Sequence, residues 1–185
     1  MPLRTILRFP DAKLRQRSVE VKEVDDSVRQ LVADMAETME AAEGAGLAAI
    51  QVGAPVRLFI IDGGVAGGGE GSPPRVFIDP EIVEISTESQ TGDEGCLSFP
   101  GIFVPVKRGL RARVRAIGLD GQAFEAEGAE LFARALQHET DHLNGRLLID
   151  QVGPVKREII KRKLRKDLEA ERAEDDDKGG AASAG

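Results

Sequence analysis

One cysteine in 185 residues cannot close an internal disulfide. That points to a reducing compartment and leaves Cys96 as either a buried small hydrophobe or a reactive or ligating thiolate. No apolar run approaches the ~18 residues needed to cross a bilayer, so a membrane span is excluded. The N-terminus carries Arg4, Arg8, Lys13, Arg15 and Arg17 but lacks the apolar core of a signal peptide, which argues against secretion. Positive charge is not in excess either. The 25 Lys and Arg stand against 32 Asp and Glu, a net charge of −7, so general nucleic-acid binding, DNA included, is not expected. That average hides a local pattern, because four of the acids fall together in Glu174 to Asp177. Internal repeats are missing. Histidine is scarce, with only two in the chain.

Both histidines fall in Gln137-His138-Glu139-Thr140-Asp141-His142. A helix advances about 100° per residue, so imidazoles four positions apart leave one face a single turn from each other and can grip one metal ion. Glu139 lies one position round the helix, where its carboxylate can reach a water on the metal's open site without being a ligand. This is HExxH, a helix-borne metal site with a built-in general base.

The length suits one domain with a single core, and 41% apolar residues is ordinary for a globular chain. Met1 to Glu23 reads as an extended segment with a turn around Asp11 to Arg15. Val28, Leu31, Val32, Met35, Met39 and Ala42 follow helical spacing, with Ser27 and Gln30 placed as a capping box and Gly44 as a stop. Gly44 to Gln51 is small-residue-rich and reads as a loop lining a cleft, with Gln51 as a lone amide donor. It has neither the third glycine nor the Lys-Ser/Thr ending of a phosphate loop. Val56 to Asp62 is β-rich, Gly63 to Pro74 is a glycine-rich surface excursion, and Arg75 to Asp79 and Glu81 to Glu88 read as two strands divided by Pro80. Gly92 to Pro100 then breaks the strand pattern and places Cys96 in a glycine-flanked loop. Ile102 to Val106, Leu110 to Gly118 and Gln122 to Glu127 supply further short strands, with Asp120-Gly121 as a hairpin turn. Gly128 precedes the metal helix and Asn144-Gly145 ends it.

Three segments are expected: a catalytic domain over 1–153, a basic helix over 154–172 and a disordered tail over 173–185. The basic helix sets eight cations among Lys156 to Arg172 against Glu158, Asp167, Glu169 and Glu171. The tail is acidic, then Gly/Ala/Ser, with no apolar anchor. The fold class is α+β: short, mostly antiparallel strands around a central HExxH helix, with an N-terminal and a C-terminal helix packed outside.

A catalytic metal wants three protein ligands and an open position. With no other histidine, the third ligand is a carboxylate or Cys96, and Cys96 sits in a loop already shaped for close approach. The metal then lowers the pKa of its water towards neutrality, Glu139 takes the proton and passes it to a leaving amine, and the attacked carbonyl becomes an oxyanion. The Gln51 amide and the backbone N–H of Leu97 are the expected donors to it. The reaction implied is hydrolysis of a small amide or ester.

Three separated blocks, Gly44-Ala45-Gly46-Leu47-Ala48-Ala49-Ile50-Gln51, Glu94-Gly95-Cys96-Leu97-Ser98 and Gln137-His138-Glu139-Thr140-Asp141-His142, resemble the three motifs of the peptide deformylase family in order and composition. Ile6 to Asp11, with Leu14-Arg15, is similar to that family's start, so the resemblance runs from about residue 5 to about 150. It implies a cytoplasmic bacterial hydrolase that removes the formyl group from N-formylmethionine at the start of new polypeptides and releases formate. It implies Cys96, His138 and His142 as metal ligands, Glu139 as acid/base and Gln51 with the Leu97 amide as the oxyanion site. Backbone at Ala45, Gly46 and Gly95 would align the substrate as an added strand. The cation implied is one Fe2+ per chain, with Zn2+, Ni2+ or Co2+ able to substitute. The basic C-terminal helix resembles an extension by which some deformylases dock on the ribosome.

Three positions test the resemblance. Arg134 stands where the family usually has an aliphatic residue facing the methionine pocket; the expected arrangement turns its guanidinium outward, the alternative being a narrowed pocket. Glu94 and Arg108 are similar to a buried ion pair that braces the cysteine segment. A rival reading is a zincin-type endopeptidase whose third ligand is a downstream acid such as Asp150 or Glu158. Another is a metal-stabilised, ribosome-associated binding module without catalysis, for which Glu139 and Gln51 would have no use.

Overall fold

The computed structural model describes residues 3–182, which fall into two compact units divided between Leu148 and Ile149.

The first unit is α+β and its strands are antiparallel. β1 (Gly46–Ala48), β2 (Leu58–Ile61), β3 (Arg75–Ile85), β6 (Arg111–Ile117) and β7 (Ala123–Ala129) form a five-stranded sheet in the order β1-β2-β3-β6-β7. β4 (Ser89–Cys96) and β5 (Phe99–Gly109) form a separate two-stranded hairpin. Two helices, α1 (Asp26–Ala41) and α2 (Glu130–Leu143), complete the unit.

The alternation of side chains along β2 shows how the layers are built. Phe59 and Ile61 join Phe77, Val114, Phe132 and Leu136 in one core that includes α2. Leu58 and Ile60 point the other way, into a second core with Leu31, Val32, Met35 and Met39 of α1. Successive strand residues face opposite sides, so a strand covered on both reads as an unbroken apolar run. Burying each of these large side chains contributes about 1.5–3 kcal/mol, which is what clamps α2 to its sheet.

Several local expectations are corrected. The N-cap of α1 is Asp25, whose carboxylate accepts from the Val28 N–H at 3.0 Å; the Ser27 hydroxyl bonds that same carboxylate at 2.6 Å. Asp takes the cap because, two residues ahead of Ser27, it is the side chain that meets the first free amides. Residues 75–85 make one strand and not two. Pro80 sits at a register shift between Ile78 and Glu81, where Asp79 adopts φ +48° and its carboxylate accepts from the Val21 N–H at 2.7 Å. A bulge tolerates the missing donor of Pro, so the strand continues. The Gly44 to Gln51 loop contains β1 and a 3-10 turn, Ala49–Val52. The excursion from Gly63 to Pro74 packs Val65 and Ala66 against the core. Cys96 is the last residue of β4: the glycines at 92 and 95 pair with Val106 and Phe103 in a ladder that composition alone did not betray, and a register shift after Gly95 sets Cys96 opposite Phe99.

In the second unit α3 spans Pro154–Ala182, past the expected end at Arg172. The lack of an apolar anchor bears on packing; it does not stop a helix, and no Gly or Pro interrupts the sequence between Arg172 and Gly179. Residues 183–185 of the expected disordered tail lie outside the described residues. Ile160 and Leu164 are buried, while Ile159 and Val155 are exposed.

Candidate metal centre

α2 carries His138 and His142 one turn apart, and Gly145, with φ +72°, ends it by letting the chain turn so that its N–H meets the His142 carbonyl at 3.1 Å. The β4–β5 hairpin brings the Cys96 thiol to the same spot. Cys96 Sγ lies 3.4 Å from His142 Nε2, and the two Nε2 atoms are 3.2 Å apart. One ligand atom from each of the three residues lies within 4.8 Å of the others, and no other such group of His, Cys, Asp or Glu occurs among the described residues. The third ligand atom beside the two imidazoles is thus the Cys96 thiol, where the endopeptidase reading called for a downstream acid.

The donor set fits one divalent cation. Tetrahedral Zn–N and Zn–S bonds near 2.1 and 2.3 Å would separate ligand atoms by about 3.4–3.6 Å, close to the two spacings above. The electrostatics agree. Burial pushes the pKa of His138 down, but hydrogen bonds with Cys96 and Glu94 outweigh it and raise it well above the ordinary value. His142 is pushed well below, by burial and by the positive charge on His138. An unprotonated His142 is the form that a cation requires of an imidazole ligand.

Glu94 organises the surroundings. Its Oε1 meets His138 Nδ1 at 2.9 Å and accepts from Arg108 Nη2 at 2.9 Å, while Oε2 accepts from Arg108 Nε at 2.9 Å and from Arg134 Nη1 at 2.7 Å. The engaged Nδ1 leaves Nε2 of His138 for the cation and fixes the ring's orientation. The expected Glu94–Arg108 pair is present and buried, and Asp141 holds the far side of Arg108 at 2.7 Å. The outward reading of Arg134 is overturned. Its guanidinium is folded inward because Glu94 and the carbonyls of Gly92 and Val106 offer acceptors there, at 2.7, 3.3 and 3.0 Å.

Burial alone would raise the Glu94 pKa, yet the hydrogen bonds from His138 and Arg108 hold it well below the usual carboxylate range. A depressed carboxylate adds stability that is present above its unfolded value, near 4.5, and is lost as pH falls through the folded one. In chelator-treated protein, the gap in urea midpoint between the parent and Glu94→Gln should therefore narrow steadily as pH is lowered from 5 to 3. A gap that stays constant would contradict this.

Glu139, 4% exposed, has no hydrogen bond to Oε2. Burial pushes its pKa up to about 7. Gln51 is pinned by the Ala48 N–H, which donates to Oε1 at 2.9 Å, so its Nε2 faces the Ser98 hydroxyl at 3.0 Å and Cys96 Sγ at 3.6 Å. The N-terminal segment straps this corner, its Leu7 and Phe9 amides donating to the carbonyls of Gln51 and Ser98 at 2.7 and 2.9 Å. Sequence reasoning missed Ser98, Asp141 and Gln137. Gln137 bonds both the N–H and the carbonyl of Gly109, at 3.0 and 3.1 Å, and so ties α2 to the end of β5. For Gln137 and Asp141 the available signal was their place among the ligands on α2; for Ser98 there was none.

A cleft of 470 Å³ opens over these groups, bounded by Ala45, Gly46, Gln51, Gly95, Leu97, Glu139 and the side chains of Phe103 and Leu131. All the site residues expected from sequence converge on it or on the ligand cluster beside it. Paired helix imidazoles, a strand-end thiolate and a buried carboxylate in an α+β frame define a metal-binding hydrolase.

Comparison with known proteins narrows the class. The sequence profile of the polypeptide deformylase family matches residues 3–158, and the chain belongs to that family. Peptide deformylases from Acinetobacter baumannii (strain SDF) and Cellvibrio japonicus are 46% and 48% identical over 166 residues, which is 90% of this chain and 92% and 96% of theirs. A crystal structure of a peptide deformylase from Legionella pneumophila superposes with a TM-score of 0.85 at 40% identity, covering 92% of this chain and 98% of that one. The Ehrlichia chaffeensis enzyme in complex with actinonin gives 0.84 at 39% identity, over 90% and 98%.

Proposed function

We propose that this chain removes the formyl group from the N-terminal formylmethionine of newly made polypeptides, releasing formate, by a metal-dependent hydrolysis in which its own side chains take the roles below. The observation that carries the reading is the convergence of Cys96, His138 and His142 beside a buried Glu139. Those three residues would hold the cation, which when bound supplies Lewis acidity and brings the pKa of water at its open position towards neutral. Fe2+ is the cation proposed in the cell, and Zn2+, Ni2+ or Co2+ suit the same thiolate and imidazoles.

Glu139, with a pKa near 7, accepts a proton from the water that adds to the formyl carbon and delivers it to the peptide nitrogen as the C–N bond breaks. The products are formate and a free amine. The pinned Gln51 Nε2 and the Leu97 N–H donate to the oxyanion. The substrate lies extended between β1, an edge strand of its sheet, and β4, whose ladder to β5 leaves the other edge available at Gly95. Gly46 passes so close to Glu139 that a Cβ would fall 2.5 Å from Oε1. Gly46→Ala should thus displace the carboxylate and lower kcat about 10- to 100-fold with metal content unchanged, as read by steady-state kinetics and metal analysis.

The assay that tests the function is release of formate from formyl-Met-Ala by anaerobically prepared, Fe2+-loaded protein. No release, with the metal present, would sink the reading. We place the activity in the bacterial cytoplasm, consistent with the bacterial relatives above. Docking on the ribosome would be carried by the cations in the first half of α3, bound to phosphate backbone and hence sensitive to salt. Reversing Lys161, Arg162, Arg165 and Lys166 to Glu should abolish co-sedimentation with ribosomes at low salt; unchanged sedimentation would refute docking.

A further inference from the structure

One buried cation in the cleft takes no part in the chemistry above. Arg134 is 8% exposed, and all of its hydrogen bonds leave from Nη1. Its Nε and Nη2 have no partner among the described residues. Nor are they sealed in, because the enclosed side-chain atoms without partners there are Ser18 Oγ, Glu139 Oε2 and His142 Nδ1. Gly92 leaves room for the free end, since a Cβ at that position would stand 3.2 Å from Nη2. Arg134 lines the cleft together with Leu131, Ala135 and Phe103, and it lies on the helix face of the ligands one turn before His138. Beside Leu131, Ala135 and Phe103 the cleft thus carries, along with the acids Asp93 and Glu94, one rigidly held guanidinium whose charge Glu94 balances, and the deformylase reading would seat the substrate's first side chain against it.

A thioether sulfur is a weak acceptor and makes little use of such donors. Oxidation of methionine converts the same side chain into a sulfoxide, polar and of nearly the same shape. An all-apolar pocket rejects that oxygen because it would be buried without a partner. We propose that Arg134 is a specificity-determining residue that admits formyl peptides beginning with methionine sulfoxide, donating from Nη2 and Nε to the sulfoxide oxygen. This rests on the deformylase reading. The step itself is unchanged: the formyl C–N bond is hydrolysed, the sulfoxide is neither reduced nor oxidised, and no further reactant is needed.

The test measures kcat/KM of the metal-loaded protein on formyl-Met-Ala-Ser, its sulfoxide and the norleucine analogue, for the parent and for Arg134→Met. Taking the ratio of sulfoxide to thioether within one preparation cancels differences in metal loading or folded fraction. In the parent the ratio is expected above about one-tenth. In Arg134→Met it should fall a further 10- to 100-fold, the worth of a hydrogen bond from a charged donor, with the loss in KM and with norleucine tracking the thioether in both proteins. An equal ratio in the two proteins overturns the inference. Should Arg134→Met not fold, the parent ratio decides alone, and a value below about one-tenth overturns it. Failure on the thioether peptide itself would instead defeat the deformylase reading on which this depends.

Discussion

Replacing Glu139 by Gln should lower kcat about 10²- to 10⁴-fold while the metal stays bound. That is the range spanned by a positioned general acid–base group. The carboxylate's burial and its unpaired Oε2 leave it free to move a proton, and its elevated pKa, about 7, lets it both accept and release one near neutrality. An amide of the same shape does neither. The metal ligands His138 and His142 flank it but do not depend on it, so metal content and melting temperature should match the parent. Kinetics on formyl-Met-Ala with metal analysis on the same samples separates loss of the base from loss of the site. A variant within tenfold of the parent would remove Glu139 from the mechanism.

Cys96→Ala should cost more than activity. Outer partners of metal ligands typically contribute 10- to 100-fold in affinity, so deleting a ligand outright should weaken binding by more than about 100-fold. The Co2+-substituted parent should show sulfur-to-metal charge-transfer absorption in the near ultraviolet, and the variant should lose it. Formate release should drop to background. The fold should survive, because Cys96 ends β4 outside both apolar cores and the Glu94, Arg108 and Arg134 contacts of the hairpin remain. A variant that still binds metal tightly and works would mean that another group supplies the third ligand.

The chemistry was more legible in the sequence than the framework that aims it. HExxH is local, and helix geometry alone converts its spacing into a shared face. Cys96 could be placed near the metal only by elimination or resemblance, because the hairpin that carries it meets α2 across more than 40 residues of chain. The glycines at 92 and 95 imitate a loop, yet they are spaced to leave room for Arg134 and Phe103 beneath and beside the β4–β5 ladder. Pro80 misled for a similar reason, since a bulge supplies what a strand otherwise denies it. Arg134 was misjudged because exposure was inferred from residue type, whereas its direction is set by an acceptor, Glu94, that only the folded chain brings within 2.7 Å. The helix of α1 and the apolar run of β2 needed no such context. Their periodicity already states which faces are covered.

The two sheets of the first unit share no ladder, and β1 and β4 each have a single hydrogen-bonded neighbour. A peptide seated between them, as proposed, would be read through amides and carbonyls that every protein possesses. On the proposed reading only the leading residue would meet the side chains of the cleft. Such a reader is suited to a whole proteome, whose members have little in common beyond the way each of them begins.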